Sequence, residues 1–119
     1  MKQRFRLRRR QDFDRVMRIR RVFAGRAIVA FATPNAEGRW RVGVAVSRKL
    51  RGAVRRNRLR RRLREAAKAR LLPRVEPPST ERAGYDVVLV GRPEALDLPW
   101  SALEEETARI RGRLEASEP

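Results

Sequence analysis

Ala53-Val54-Arg55-Arg56-Asn57-Arg58-Leu59-Arg60-Arg61-Arg62-Leu63-Arg64 is the stretch from which the rest of the chain is read. Leu59, Leu63, Ala66, Ala67 and Leu71 recur at spacings of 3 to 4, so the segment predicts one long helix with one apolar face. It runs from about Ala53 to Leu72, where Pro73 stops it. Arginines take almost every other position of its first half. Arg56, Arg60 and Arg64 stand four apart and form one ridge, with Arg58, Arg61 and Arg62 on neighbouring ridges. Like charges at that spacing each destabilise a helix by a few tenths of a kcal/mol. Phosphate groups would relieve that repulsion.

Working outward, Arg39–Ser47 reads as a strand with Val42, Val44 and Val46 on one face. Before it, Arg26–Thr33 is a strand built on Ala27-Ile28-Val29-Ala30-Phe31, and Pro34–Gly38 is a turn. The two strands are expected to pair as an antiparallel hairpin. A short helix is expected at Asp12–Arg20, where Phe13, Val16 and Met17 fall at helical spacing and two acids favour its first turn. Residues 1–10 form a basic arm with Phe5 and Leu7 as anchors.

On the other side, residues 73–84 read as a loop, Tyr85–Val90 as an apolar strand and Gly91–Leu98 as a turn. A last helix is expected from Pro99 or Trp100 to about Glu115, with Glu104–Glu106 near its start and arginines later, an order that suits the helix dipole. Residues 116–119 are expected to fray. The residues alone therefore predict αββαβα, in one domain spanning 1–119.

The formal net charge of the 119 residues is +17, and it is unevenly placed. Residues 1–75 carry 26 basic and 4 acidic side chains, residues 76–119 carry 5 and 10. Such a gradient points to a polyanion on one side of the molecule. Of the 31 basic residues 28 are arginine, whose guanidinium pairs with phosphate through two parallel hydrogen bonds. The apolar runs are far too short to cross a bilayer, so a cytoplasmic protein with no membrane partner is expected.

The inventory for catalysis is thin. With no Cys and no His, disulfides, thiol nucleophiles and zinc sites are excluded. Asp12 and Asp14 diverge on their helix, Glu104–Glu106 fan out around theirs, and Asp86 stands alone in a strand. Ser47 and Tyr85 lack an activating base. No glycine-rich phosphate loop is present. No catalytic residue and no metal ligand is therefore assigned. Basicity and size alone suit a ribosomal protein or a DNA-binding module as well.

Ser47-Arg48-Lys49 followed by Ala53–Arg64 resembles the signature of the bacterial ribonuclease P protein subunit, often called the RNR motif. Asp12-Phe13 with Val16, the Arg41-Val42-Gly43 strand and the Tyr85-Asp86-Val87-Val88 strand are similar to the family in the same order, so the resemblance covers about residues 4–114. It implies an α+β fold, a two-layer α/β sandwich in αβββαβα order. One strand more than the residues alone suggest is then needed, and the βαβ crossover is left-handed against the usual rule. It implies a protein that joins a large catalytic RNA, ribonuclease P RNA, and with it removes the 5′ leader of precursor tRNA. The RNA holds Mg2+ and does the chemistry, and no further protein partner is required.

By the same resemblance Arg56, Asn57, Arg58, Arg60, Arg61 and Arg64 contact the catalytic RNA. Phe13, Met17, Arg26, Val29 and Phe31 line a cleft for the single-stranded leader, and Ser47, Arg48 and Lys49 lie between the two surfaces. Aromatic side chains stack on unpaired bases, which gives Phe13 and Phe31 a role. Met17 stands where the family often has an aromatic, and Arg20 and Arg51 stand where glycine is common.

Overall fold

Val87-Val88-Leu89-Val90 is apolar without alternation, the pattern of a strand covered on both faces, and it takes an inner place in the sheet. The computed structural model describes residues 5–19, 21–36, 38–72 and 84–116. Along these run α1 (Arg10–Ile19), β1 (Arg21–Ala24), β2 (Ile28–Asn35), β3 (Arg41–Val46), α2 (Ala53–Arg70), β4 (Gly84–Gly91), a 3-10 turn (Pro93–Leu96) and α3 (Trp100–Ala116). The αβββαβα order is that implied by the resemblance. The added strand is β1, which the residues alone did not reveal. The expected loop at 73–84 falls mostly outside the described residues, as do the ends of the basic arm and of the C-terminus, and Arg20.

The sheet order is β1-β2-β4-β3. β2 pairs antiparallel with β1 and with β4, and β3 pairs parallel with β4. The expected hairpin between β2 and β3 is therefore not formed. β4 lies between them, because its side chains need cover on both faces and only an inner position supplies it. The connection from β3 to β4 is the long α2 crossover that a parallel pair requires.

Alternation sorts the strands into two faces. Ile28, Ala30, Val87 and Leu89 join the larger core, closed by Leu59 and Leu63 of α2 and by Leu103 and Ile110 of α3. Val88 faces the other way, with Phe31 and Val90, and is covered by Val16 and Phe13 of α1 and by Leu7. The expected two-layer sandwich thus carries α1 as a partial third layer. Leu7 is a real anchor: it is buried, and its N–H donates to the Val42 carbonyl at 2.9 Å. None of the helices among the described residues is long and apolar enough to cross a membrane.

Candidate nucleic-acid interface

α2 begins at Gly52, whose φ of 97° is a conformation that glycine adopts without strain. Its first turn holds no acid to offset the helix dipole. The packing of Leu59 and Leu63 then fixes where each arginine points. Arg58 and Arg61 are exposed, and neither guanidinium is hydrogen-bonded or ion-paired to another described residue. Arg60 is half-buried and donates to Asn57 Oδ1 at 2.9 Å. Arg64 is half-buried beside Arg60 and beside Arg6, which bridges to β3. Burial, then the Arg6 charge, then the Arg60 charge push the Arg64 guanidinium below the usual arginine pKa. Glu65, exposed four residues after Arg61, is the one acid of α2, so the cluster keeps a large excess of positive charge that favours an anion.

Two arginines of the same stretch face inward. Arg56 donates through Nη1 to the carbonyls of Ser47 at 3.0 Å and Leu50 at 2.8 Å, with Nη2 3.5 Å from that of Val46. It ties down the turn that follows β3, and its side chain is half-buried there. Arg62 does the same for the 3-10 turn, donating to the carbonyls of Ala95, Leu96 and Leu98 at 2.8–2.9 Å. Charge-assisted hydrogen bonds contribute about 1.5–3 kcal/mol. Arg56→Ala is therefore expected to lower the melting temperature measurably while leaving the salt dependence of RNA affinity unchanged. Calorimetry beside a salt titration separates the two effects.

The second surface lies on the α1 face of the sheet. Register places Val29 beside Val90 and Ala45 in one row, and Phe31 beside Val88 and Gly43 in the next. α1 covers the second row. The Phe13 ring rests on Gly43 so closely that a Cβ there would lie 2.4 Å from Cζ. Only a residue without a side chain permits this approach. The first row stays partly open, with Val29 and Val90 half-buried; beside it Phe31 of the second row is also half-buried, and Met17 of α1 is 41% exposed. The result is a half-buried apolar strip that includes the Phe13 and Phe31 rings. Phe13 and Phe31 meet around Val88, Val29 stands in the adjoining row, and Met17 is exposed on α1.

Cationic side chains stand in the turns at the ends of β3 and β1. Ser47 follows β3, its N–H donating to the Gly91 carbonyl at 2.9 Å and its Oγ accepting from the Lys49 N–H at 3.2 Å. Arg48 and Lys49 are exposed in the turn that Arg56 holds. Arg26 sits in the β1–β2 turn and lines an open pocket of about 240 Å³ with Gly25, Arg92 and Glu94. Arg92 of that pocket stands one residue beyond β4. The turn carrying Arg26 is set from α3, where the buried Glu106 carboxylate accepts from the Ala27 and Ile28 N–H groups at 3.0 Å.

Asp86, expected to stand alone, is fully buried at the far end of this face. Its Oδ1 accepts from Arg41 Nε and Asn35 Nδ2, both at 2.8 Å, and its Oδ2 from Arg41 Nη2 at 2.8 Å and from Arg15 of α1. Burial pushes the Asp86 carboxyl up, but the bonds from Arg41, Arg15 and Asn35 outweigh it and hold the group below its usual range. Among the described residues no group of three acidic side chains could hold a metal ion.

An α+β scaffold with a cationic helix and, on another face, a half-buried strip of rings and aliphatic side chains defines an RNA-binding component of a ribonucleoprotein. A family model described as Ribonuclease P matches residues 1–115. The chain is 41% identical over 113 residues to the ribonuclease P protein component of Chloroflexus aurantiacus, covering 93% of this chain and 78% of that one. It is 41% identical over 109 residues to that of Pelotomaculum thermopropionicum, covering 92% and 91%. Among solved structures, the Staphylococcus aureus RNase P protein superposes with a TM-score of 0.68 at 25% identity, over 95% of this chain and 94% of that one. The chain belongs to the ribonuclease P protein family, whose members are the protein component of the endoribonuclease that processes the 5′ ends of precursor tRNA.

Proposed function

We propose that this chain divides its two RNA contacts between two surfaces. The outward arginines of α2, namely Arg58, Arg60, Arg61 and Arg64 with Asn57, dock on the catalytic RNA. The groove of Phe13, Met17, Val29 and Phe31 takes the single-stranded leader of precursor tRNA, with Arg26, Ser47, Arg48 and Lys49 reaching the phosphates at its ends. The observation that carries this reading is the separation of the two surfaces by chemistry. One offers many guanidinium groups against a single acid, Glu65, and is suited to a folded phosphate backbone. The other offers rings and aliphatic side chains in a half-open row, suited to unstacked bases.

On this reading the chemistry belongs to the RNA, which holds Mg2+. The described acidic side chains do not fit a metal site of the protein's own, so no step is routed through a protein-held ion. Residues 1–119 act as one domain in the cytoplasm, with no second protein required, and the β3–α2–β4 crossover carries the family's left-handed sense.

The test is reconstitution with the host's ribonuclease P RNA at low Mg2+. Adding the protein is expected to raise 5′ cleavage of precursor tRNA well above that of RNA alone. Phe31→Ala is expected to weaken binding of the precursor but not of mature tRNA. No stimulation by the wild type would overturn the reading. Equal losses on both tRNAs would reduce Phe31 to a packing residue.

A further inference from the structure

α1 packs on β2 and β4 through its side chains. Among the described residues no backbone hydrogen bond joins it to a strand. It rests on the buried Val16, on the Phe13 ring over Gly43, and on the Arg15–Asp86 pair. At 3.6 residues per turn, Arg15 lies about 100° to one side of Val16, and Phe13 and Met17 lie about 60–100° to the other. The ion pair therefore holds one flank of the helix while the opposite flank lines the groove. Without it, α1 can roll about Val16 and carry Phe13 and Met17 with it.

Asp86 is suited to this task because it is immobile. It is fully buried in β4 and fixed by Arg41 of β3 and Asn35 of β2. Arg15 is its link to α1, and that side chain is 43% exposed, with Asp12 Oδ1 3.8 Å away as a second, weaker partner. One carboxylate thus ties three strands and the helix to a common point.

We propose that Asp86 is a positioning residue for recognition of the leader: through Arg15 it sets the roll of α1, and so the placement of Phe13 and Met17 over Val29 and Phe31. This rests on the leader-groove reading above. Arg15 and Asp86 are not themselves placed in contact with RNA.

The test uses the reconstituted holoenzyme and compares dissociation constants for precursor and mature tRNA. Arg15→Ala removes a half-exposed side chain, so the fold should survive with little change in melting temperature. It is expected to weaken precursor binding roughly tenfold, about what one well-stacked base contributes, with mature tRNA unaffected. Arg15→Lys, which keeps a cation for Asp86, should restore most of the loss. Asp86→Asn provides the opposite control. If Arg15 instead contacted the leader directly, freeing it would keep or strengthen precursor binding; the positioning role requires that binding weaken. An unchanged precursor-to-mature ratio in Arg15→Ala, or stronger precursor binding in Asp86→Asn, overturns the proposal. Phe31→Ala run beside them separates the two levels. If it loses the precursor preference while Arg15→Ala does not, the groove reading stands and the positioning role fails. If neither variant loses it, both fail.

Discussion

Replacing Arg58, Arg60, Arg61 and Arg64 together with Ala is expected to lower the salt slope of RNA affinity by about 3, as four lost phosphate contacts at roughly 0.7–0.9 each require. At 0.1 M salt that slope corresponds to about a thousandfold weaker binding. The loss falls on RNA affinity rather than on folding. Arg58 and Arg61 have no partner among the described residues, and Arg64 is pushed down by burial and by the charges of Arg6 and Arg60. Removing mutually repelling charges from one helix face should leave the melting temperature unchanged or raised. Filter binding across a salt series, with calorimetry on the same variant, measures both. An unchanged slope would remove this ridge from the interface. The inward-facing Arg56 makes the opposite expectation on both counts.

Asp86→Ala is expected to cost about 3 kcal/mol of folding stability, or roughly 10 °C in melting temperature. The figure sits at the low end for a broken buried pair because Arg15 and Arg41 keep some access to water, at 43% and 22% exposure. Arg41 loses a two-pronged partner, and Asn35 and Arg15 lose an acceptor. The pH dependence follows from the sign of the shift. The folded carboxyl titrates below its unfolded value of about 3.9, so its contribution is fully present above that pH. It is lost as pH falls through the lower folded value. The stability gap between wild type and variant should therefore be constant near neutrality and close below about pH 4. Urea unfolding at a series of pH values would show it. A gap that widened in acid would mean the carboxylate is not held by these cations.

Much of this was legible beforehand because it rests on local pattern. The 3-to-4 spacing of Leu59, Leu63, Ala66 and Ala67 located α2, and the valine alternation located β3. β1 is not legible in the sequence because Arg21–Ala24 is only four residues long. Too short to show a period, it is a strand because β2 offers it an edge. The consecutive Glu104, Glu105 and Glu106 read as one dipole-matching cluster but have three separate roles. Glu104 pairs with Arg70 of α2, Glu105 with Arg109 of its own helix, and Glu106 accepts N–H groups of the β1–β2 turn. Neighbours in a helix point about 100° apart, so their partners are set by what packs against each side.

The sequence by itself determined the α+β class, the cationic helix, the want of histidine and cysteine chemistry, and the family, since these depend on composition, periodicity and a local motif. Only the tertiary structure decided that β4 lies between β2 and β3, that Arg56 and Arg62 turn inward while Arg58 and Arg61 stay outside, and that Asp86 gathers Arg15, Arg41 and Asn35. The physical reason is common to all three. Each depends on which distant carbonyls, carboxylates and apolar faces the packing leaves unsatisfied, and that is known only once the helices are seated on the sheet. The arginine run that first singled out this chain is thus two populations, one that builds the scaffold and one that the scaffold presents.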